Sequence, residues 1–210
     1  MTIIRPTTTV ELELCAERAV WWARQKTLFL ADLHLGRVNV PSHGEDALLA
    51  QTLLRIRAVI DRYHAERVVI LGDMFHMKRH YNQELLQRVC EWRAALCSTV
   101  FLLVRGNHER VLGDPPAELC ITSVDPGYSE EGMTFVHEPR VSERFTLCAH
   151  LHPNLLIPSL RVAAEAVPCF VIGRSYLVLP AFEDTLPGRI IPHRSDETYA
   201  YIQNGTVVLK

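Results

Sequence analysis

Residues 27–34 read TLFLADLH, an apolar run that ends on an aspartate and a histidine one residue apart. The pattern returns at 67–73, RVVILGD, and at 100–109, VFLLVRGNHE. Between the first two runs, Leu49, Leu53, Ile56, Ile60 and Tyr63 share the period of one helix face, while Arg55, Arg57, Asp61 and Arg62 take other faces. Between the second and third, Leu85, Val89, Trp92 and Leu96 repeat that spacing, with Glu84, Arg88, Glu91 and Arg93 as the expected wet side. Strands alternating with amphipathic helices predict βαβ units on a largely parallel sheet.

Beyond Gly113 the pattern changes. Pro115 and Pro116 mark a loop, and short β-rich runs follow at Met133 to Val136, Phe145 to Ala149, Cys169 to Ile172 and Tyr176 to Leu179. Asn204-Gly205, between Tyr199 to Ile202 and Thr206 to Leu209, is a hairpin signal. This half is expected to pack a second sheet on the first, within one domain spanning 1–210.

Composition narrows the function. No apolar run approaches the ~20 residues that cross a bilayer, so no membrane role is expected. Six scattered cysteines without a CxxC pair, and no signal-like N-terminus, predict reduced thiols in the cytoplasm. A net charge of -2 argues against broad electrostatic binding of nucleic acid, so any DNA contact should be local.

The chemistry lies where the strands end. In order come Asp32-Leu33-His34, Gly72-Asp73, Gly106-Asn107-His108-Glu109, His137 and His150-Leu151-His152, and ligand sites in α/β sheets gather just beyond strand carboxyl ends. Five of the ten histidines (His34, His108, His137, His150, His152) belong to these groups, which scattered surface histidines would not produce. Imidazole with carboxylate suits manganese, iron, zinc or nickel better than calcium or magnesium. In DxH and HxH a sharp turn after the strand could aim both side chains at one ion. Asp73 could bridge two ions, which in such sites sit ~3.5 to 4 Å apart and clamp the attacking and leaving oxygens at phosphorus. Taken singly, Asp32 and Asp73 could instead cap helices. It is the joint order of the groups that favours a metal site.

That order, DxH, GD, GNH plus acid, H and HxH, resembles the calcineurin-like metallophosphoesterases. The resemblance implies a four-layer α/β/β/α sandwich of two mixed sheets flanked by helices, and hydrolysis of phosphodiester bonds by a metal-bound hydroxide. By it, Asp32, His34, Asp73 and His152 hold one divalent ion, manganese foremost, and Asp73, Asn107, His137 and His150 hold another. His108 protonates the leaving oxygen or steadies the phosphate, oriented by Glu109. VRGNHER (104–110), GDPP (113–116), HLHP (150–153), VPCF (167–170) and LPAF (179–182) are similar to the PdeM group, described as ligase-associated DNA-damage-response phosphoesterases or endonucleases. That likeness implies a DNA-repair setting with ligase or helicase partners. Two positions depart from the family pattern: Ala149 stands where glycine is usual, which would strain a turn needing φ > 0, and Glu109 where aspartate is usual.

Other residues have two readings. His76 and His80, after GD, could contact substrate. Of the cations near the motifs (Arg37, Lys78, Arg79, Arg105, Arg110), Arg105 and Arg110 flank GNH and are the candidates for substrate phosphate. Trp21, Trp22 and Trp92 are read as core rather than base-stacking residues, and the cysteines, Cys148 included, as buried hydrophobes. Two rival functions stay open: a phosphoesterase or pyrophosphatase for nucleotides or lipid precursors, and a non-catalytic scaffold of the same fold.

Overall fold

An antiparallel meander of β1 (Thr2–Thr7), β2 (Val10–Cys15) and β3 (Ala19–Trp22) leads into β4 (Thr27–Leu30), the strand of the TLFLADLH run. Then come α1 (Glu45–Tyr63), β5 (Arg67–Leu71), α2 (Gln83–Ala94), β6 (Val100–Val104), α3 (Asn107–Leu112) and β7 (Ile121–Val124). The computed structural model describes residues 2–37, 45–76, 83–158 and 164–210. Among these, the first seven strands form one sheet in chain order. Its β1 to β4 pairs are antiparallel and its β4 to β7 pairs parallel. The βαβ expectation therefore holds for the centre of the sheet. The meander lies outside that expectation: β1 and β2 mix apolar with charged and polar residues, β3 is a run of only four, and no helix separates them.

The central strands are buried on both faces, which is why they read as unbroken apolar runs. Leu28, Leu30, Val68, Ile70, Phe101 and Leu103 point to the helix side and pack on Leu49, Leu53, Ile56, Ile60, Leu85 and Val89. Arg93 departs from the expected wet side. It is buried, its guanidinium donates to Leu96 O (2.8 Å) and Thr99 O (3.1 Å), and it lies 4.5 Å over the Phe101 ring. Orphan carbonyls past the end of α2 thus satisfy a cation whose stem covers apolar surface.

The second half forms β8 (Gly127–Glu130), β9 (Met133–Val136), β10 (Phe145–Cys148), β11 (Pro153–Ile157), β12 (Glu165–Ile172), β13 (Tyr176–Val178), β14 (Arg189–Ile190), β15 (Thr198–Gln203) and β16 (Thr206–Leu209). These make a second mixed sheet in the order β14-β11-β12-β13-β10-β9-β8, with the β15–β16 hairpin attached to β12. Phe29, Ala31, Val69, Leu71 and Val104 of the first sheet meet Met133, Phe135, Leu147, Phe170 and Leu177 of the second in one apolar layer. This is an α/β sandwich with few helices. Its outer layer on the second sheet is built of strand and loop: β12 pairs β11 through Glu165–Pro168 and β15 through Cys169–Ile172, so the β11 ribbon brings Leu155 and Ile157 onto Val136, Cys148 and Val178. No helix among the described residues is long and apolar enough to cross a membrane.

Candidate metal centre

Parallel pairing of β4 with β5 and β6, and of β9 with β10, sets the carboxyl ends of these strands side by side. The pairing outlasts the strands. Asp32 N donates to Gly72 O (3.2 Å), His34 N to Asp73 O (3.0 Å) and Ala149 N to His137 O (2.8 Å), so each motif is held to its neighbour by main chain.

The turns that follow are left-handed at the residues that carry the chemistry: φ is 52° at Asp32, 42° at His34, 53° at Asp73, 69° at His150 and 44° at His152. Aspartate and histidine tolerate this region better than branched residues, yet each costs about 1–3 kcal/mol, a strain that collects at functional sites. The demand for positive φ falls on His150 rather than on Ala149, so alanine there carries no such strain. Two glycines are needed for close approach instead. A Cβ on Gly72 (φ 82°) would lie 2.2 Å from His137 Nδ1, and one on Gly106 would lie 2.1 Å from Asp73 Oδ1.

Two groups result. Asp32, His34 and His152 offer ligand atoms within 4.8 Å of one another, and so do Asp73, His137 and His150. The structure therefore splits HxH, sending His152 to one group and His150 to the other, with left-handed backbone at each. DxH stays together. Asp73 lies between the groups, with Oδ1 3.4 Å from His137 Nε2 and Oδ2 3.8 Å from His34 Nε2. Asn107 Oδ1 joins the second group, 3.0 Å from His137 Nε2.

The donors fit a cation. His137 is buried, and its Nδ1–H donates to Leu71 O at 2.8 Å, which leaves the Nε2 lone pair facing Asn107 Oδ1, His150 Nδ1 (3.0 Å) and Asp73 Oδ1. A carbonyl that holds the far nitrogen of a histidine is the usual support of a metal ligand. In the other group, buried Asp32 Oδ1 and His34 Nε2 have no hydrogen-bond partner. Asp32 Oδ1 sits 3.3 Å from His152 Nε2, an ion-pair distance without hydrogen-bond geometry. Orphaned buried lone pairs are costly unless something positive meets them.

Protonation is arranged to the same end. Burial, with His108, His152, His76 and Arg37 nearby, pushes His34 down to about 2, so its imidazole is neutral. Burial and His137 also lower His150. Burial disfavours charge on His152, but the Asp32 carboxylate outweighs it and raises His152 above its ordinary value.

Around these groups two expectations change. Glu109 does not orient His108. Its carboxylate accepts from Asp73 N, Met74 N and Gly106 N, each at 2.9 Å, tying the GD turn to the start of α3. Burial raises its pKa, opposed by those amide bonds. His108 is aimed instead by the His76 carbonyl, which contacts its Nδ1, and its Nε2 lies 3.8 Å from Asp73 Oδ2. The His76 ring meets His34, Nδ1 to Nδ1 at 3.1 Å, so His76 supports two other histidines. Arg105 and Arg110, expected on substrate, are held by acids: Arg105 by both oxygens of Asp114 (2.7 and 2.6 Å), Arg110 by Glu138 (2.8 Å) and Asp125 (3.5 Å). Arg37 pairs with Glu183 at 3.2 Å. Lys78, Arg79 and His80 lie outside the described residues.

Trp22 is fully buried, and Trp92 donates to Leu53 O (3.0 Å). Cys15, Cys148 and Cys169 are buried with thiols pushed up to about 12, chiefly by burial, whereas Cys97 and Cys120 are exposed and Cys90 half-buried, against the expectation for all six. Sequence reading also missed Asn154 and Glu183, which adjoin the groups without any motif to mark them.

The family model of calcineurin-like phosphoesterases matches residues 25–163, which include every proposed ligand. The chain is similar to the Pseudomonas putida nuclease MPE, with 30% identity, coverage of 100% of this chain and 99% of that one, and a TM-score of 0.85. It is also similar to Yfce, a phosphoesterase from E. coli, at 14% identity, covering 87% of this chain and 96% of that one, with a TM-score of 0.41. No curated protein matches the sequence.

Proposed function

The chain belongs to the calcineurin-like phosphoesterase family and is a metal-dependent phosphoesterase, and we propose that it is a dinuclear phosphodiesterase that cleaves DNA. One observation carries the two-ion reading: Asp73 presents one oxygen to each of two ligand groups that otherwise share no residue. Asp32, His34, Asp73 and His152 would hold one ion, and Asp73, Asn107, His137 and His150 the other. Manganese leads among transition metals, since the donors mix imidazole with carboxylate. Two ions bound there would acidify a water and neutralise charge on the phosphoryl oxygens.

The protein's own groups do the rest. Leu71 O fixes the tautomer of His137, and Glu109 holds the turns that carry Asp73 and Asn107. His108, with Nε2 aimed at the groups and Nδ1 held by a carbonyl, sits where a proton can be passed to the leaving oxygen. DNA as substrate is supported by the likeness to a nuclease that spans the whole chain. A second reading, a small phosphodiester, is favoured by the pairing of Arg105 and Arg110 with acids and by the net charge of -2.

The test is hydrolysis of single-stranded DNA, duplex DNA and bis-p-nitrophenyl phosphate with manganese at fixed salt. We expect all activity to vanish on chelation and in Asp73→Ala. Activity retained by a folded Asp73→Ala protein would overturn the metal assignment. Cleavage of the small diester without any of DNA would select the second reading.

A further inference from the structure

Beside His152 opens a cavity of about 270 Å³, walled by Arg18, Asn154, Pro168, Glu183, Asp184 and Pro187, with small apolar groups between them. The chain itself joins it to the metal groups. Phe182 N donates to Ala31 O (2.8 Å) and Glu183 N to Asp32 O (3.4 Å), so the cavity's 181–188 wall is anchored on the same strand end that carries the DxH motif. Its volume lies just under the ~300–1,000 Å³ of pockets that enclose drug-sized molecules, room for one ring rather than a polymer.

The charged groups in the wall are already engaged. Arg18 Nη1 donates to Ala181 O (3.3 Å) and Glu183 O (3.0 Å), and Nη2 faces Asp184 at 3.2 Å. Asp184 also meets Arg55 at 2.6 Å. Glu183 takes Arg37 at 3.2 Å and the Thr185 amide and hydroxyl at 2.8 Å each. With every cation neutralised and two carboxylates in the wall, a second phosphate is disfavoured there. The Asn154 carboxamide differs: among the described residues it makes no hydrogen bond to protein.

Gly188 makes room for that amide. A Cβ at 188 would lie 2.2 to 2.4 Å from the amide atoms of Asn154, while the Gly188 backbone lies outside the left-handed region. Glycine is therefore needed at 188 for space and not for conformation. An amide with a free donor and a free acceptor, in a cavity that Pro168 and Pro187 also line, matches the edge of a nucleobase; asparagine pairs bidentately with adenine in this way.

We propose that this cavity is a subsite for one nucleobase-like ring on the arm of the scissile phosphodiester, read by the Asn154 carboxamide. The proposal rests on the reading of the neighbouring groups as a phosphodiester site. Its test compares two p-nitrophenyl diesters, adenosine 5′-p-nitrophenyl phosphate and methyl p-nitrophenyl phosphate, hydrolysed by the manganese-loaded full chain. The expected kcat/KM ratio favours the nucleoside ester by about tenfold, the lower range of a bidentate base contact. The ratio should fall toward one in Asn154→Ala and in Gly188→Ala, the second of which displaces the amide without altering it, so either variant suffices if the other does not fold. A ratio near one in the native protein, or an unchanged ratio in the folded variants, overturns the subsite alone. Failure of the native protein to hydrolyse either ester overturns the phosphodiesterase reading beneath it.

Discussion

Replacing Glu109 by alanine should unsettle the metal centre through the backbone, before any chemistry is involved. The substitution removes the acceptor of three buried amides, those of Gly106, Asp73 and Met74. Each donor left unsatisfied costs about 1–3 kcal/mol. Removal of a buried carboxylate whose ionisation is disfavoured returns part of that cost, so the net loss should be near the lower bound, about 3 kcal/mol. Against a total stability of about 5–15 kcal/mol this is a large fraction. The assay is guanidinium unfolding of the metal-free protein, where the midpoint should fall without a change in slope. Glu109→Gln keeps the reach but turns a donor toward at least one amide, so it should fall between native and Glu109→Ala. Manganese affinity should drop in Glu109→Ala, because Asp73 loses the anchor of its own amide, and less in Glu109→Gln, whose oxygen can keep that bond. If metal-free stability is unchanged in Glu109→Ala while turnover is lost, the bracing role is wrong and Glu109 acts on the reaction directly.

Gly72→Ala places a methyl 2.2 Å from His137 Nδ1 on a backbone at φ 82°, so we expect the bond from His137 to Leu71 O to break and manganese affinity to fall by about 10- to 100-fold, read by calorimetric titration; unchanged affinity would show that His137 is not a ligand. Metal binding should also depend on pH with a defined sign. The ion requires neutral imidazole, and His152 is the ligand with a raised pKa, so affinity should be flat above that value and weaken as pH falls through it, with one proton released per binding event in that window. His34, pushed down to about 2, and His150, also lowered, should add no proton release there; a pH-independent affinity between about pH 5 and 8 would contradict this.

The central strands and both long helices were legible because their residues face apolar layers on both sides or at one helical period. The edge strand β1 and the β11 ribbon were not, since partly exposed strands mix polar and apolar residues in ways that short windows do not separate. Arg93 misled for the same reason: a charge on a helix reads as wet until the carbonyls that receive it are in place.

The sequence by itself determined which residue types stand at the strand ends and in what order, and with them the family and the metal-binding chemistry. Tertiary structure alone decided how those residues divide. His150 and His152, two apart in the chain, serve different groups, while Asp73, Asn107, His137 and His150, far apart in the chain, converge. It also decided the posts of Glu109, Arg105 and Arg110, which sequence assigned to catalysis or substrate and the fold ties to amides and acids. The physical reason is that a side chain's role is set by the partner it meets, and here those partners are main-chain amides, carbonyls and distant carboxylates that leave no mark on local sequence.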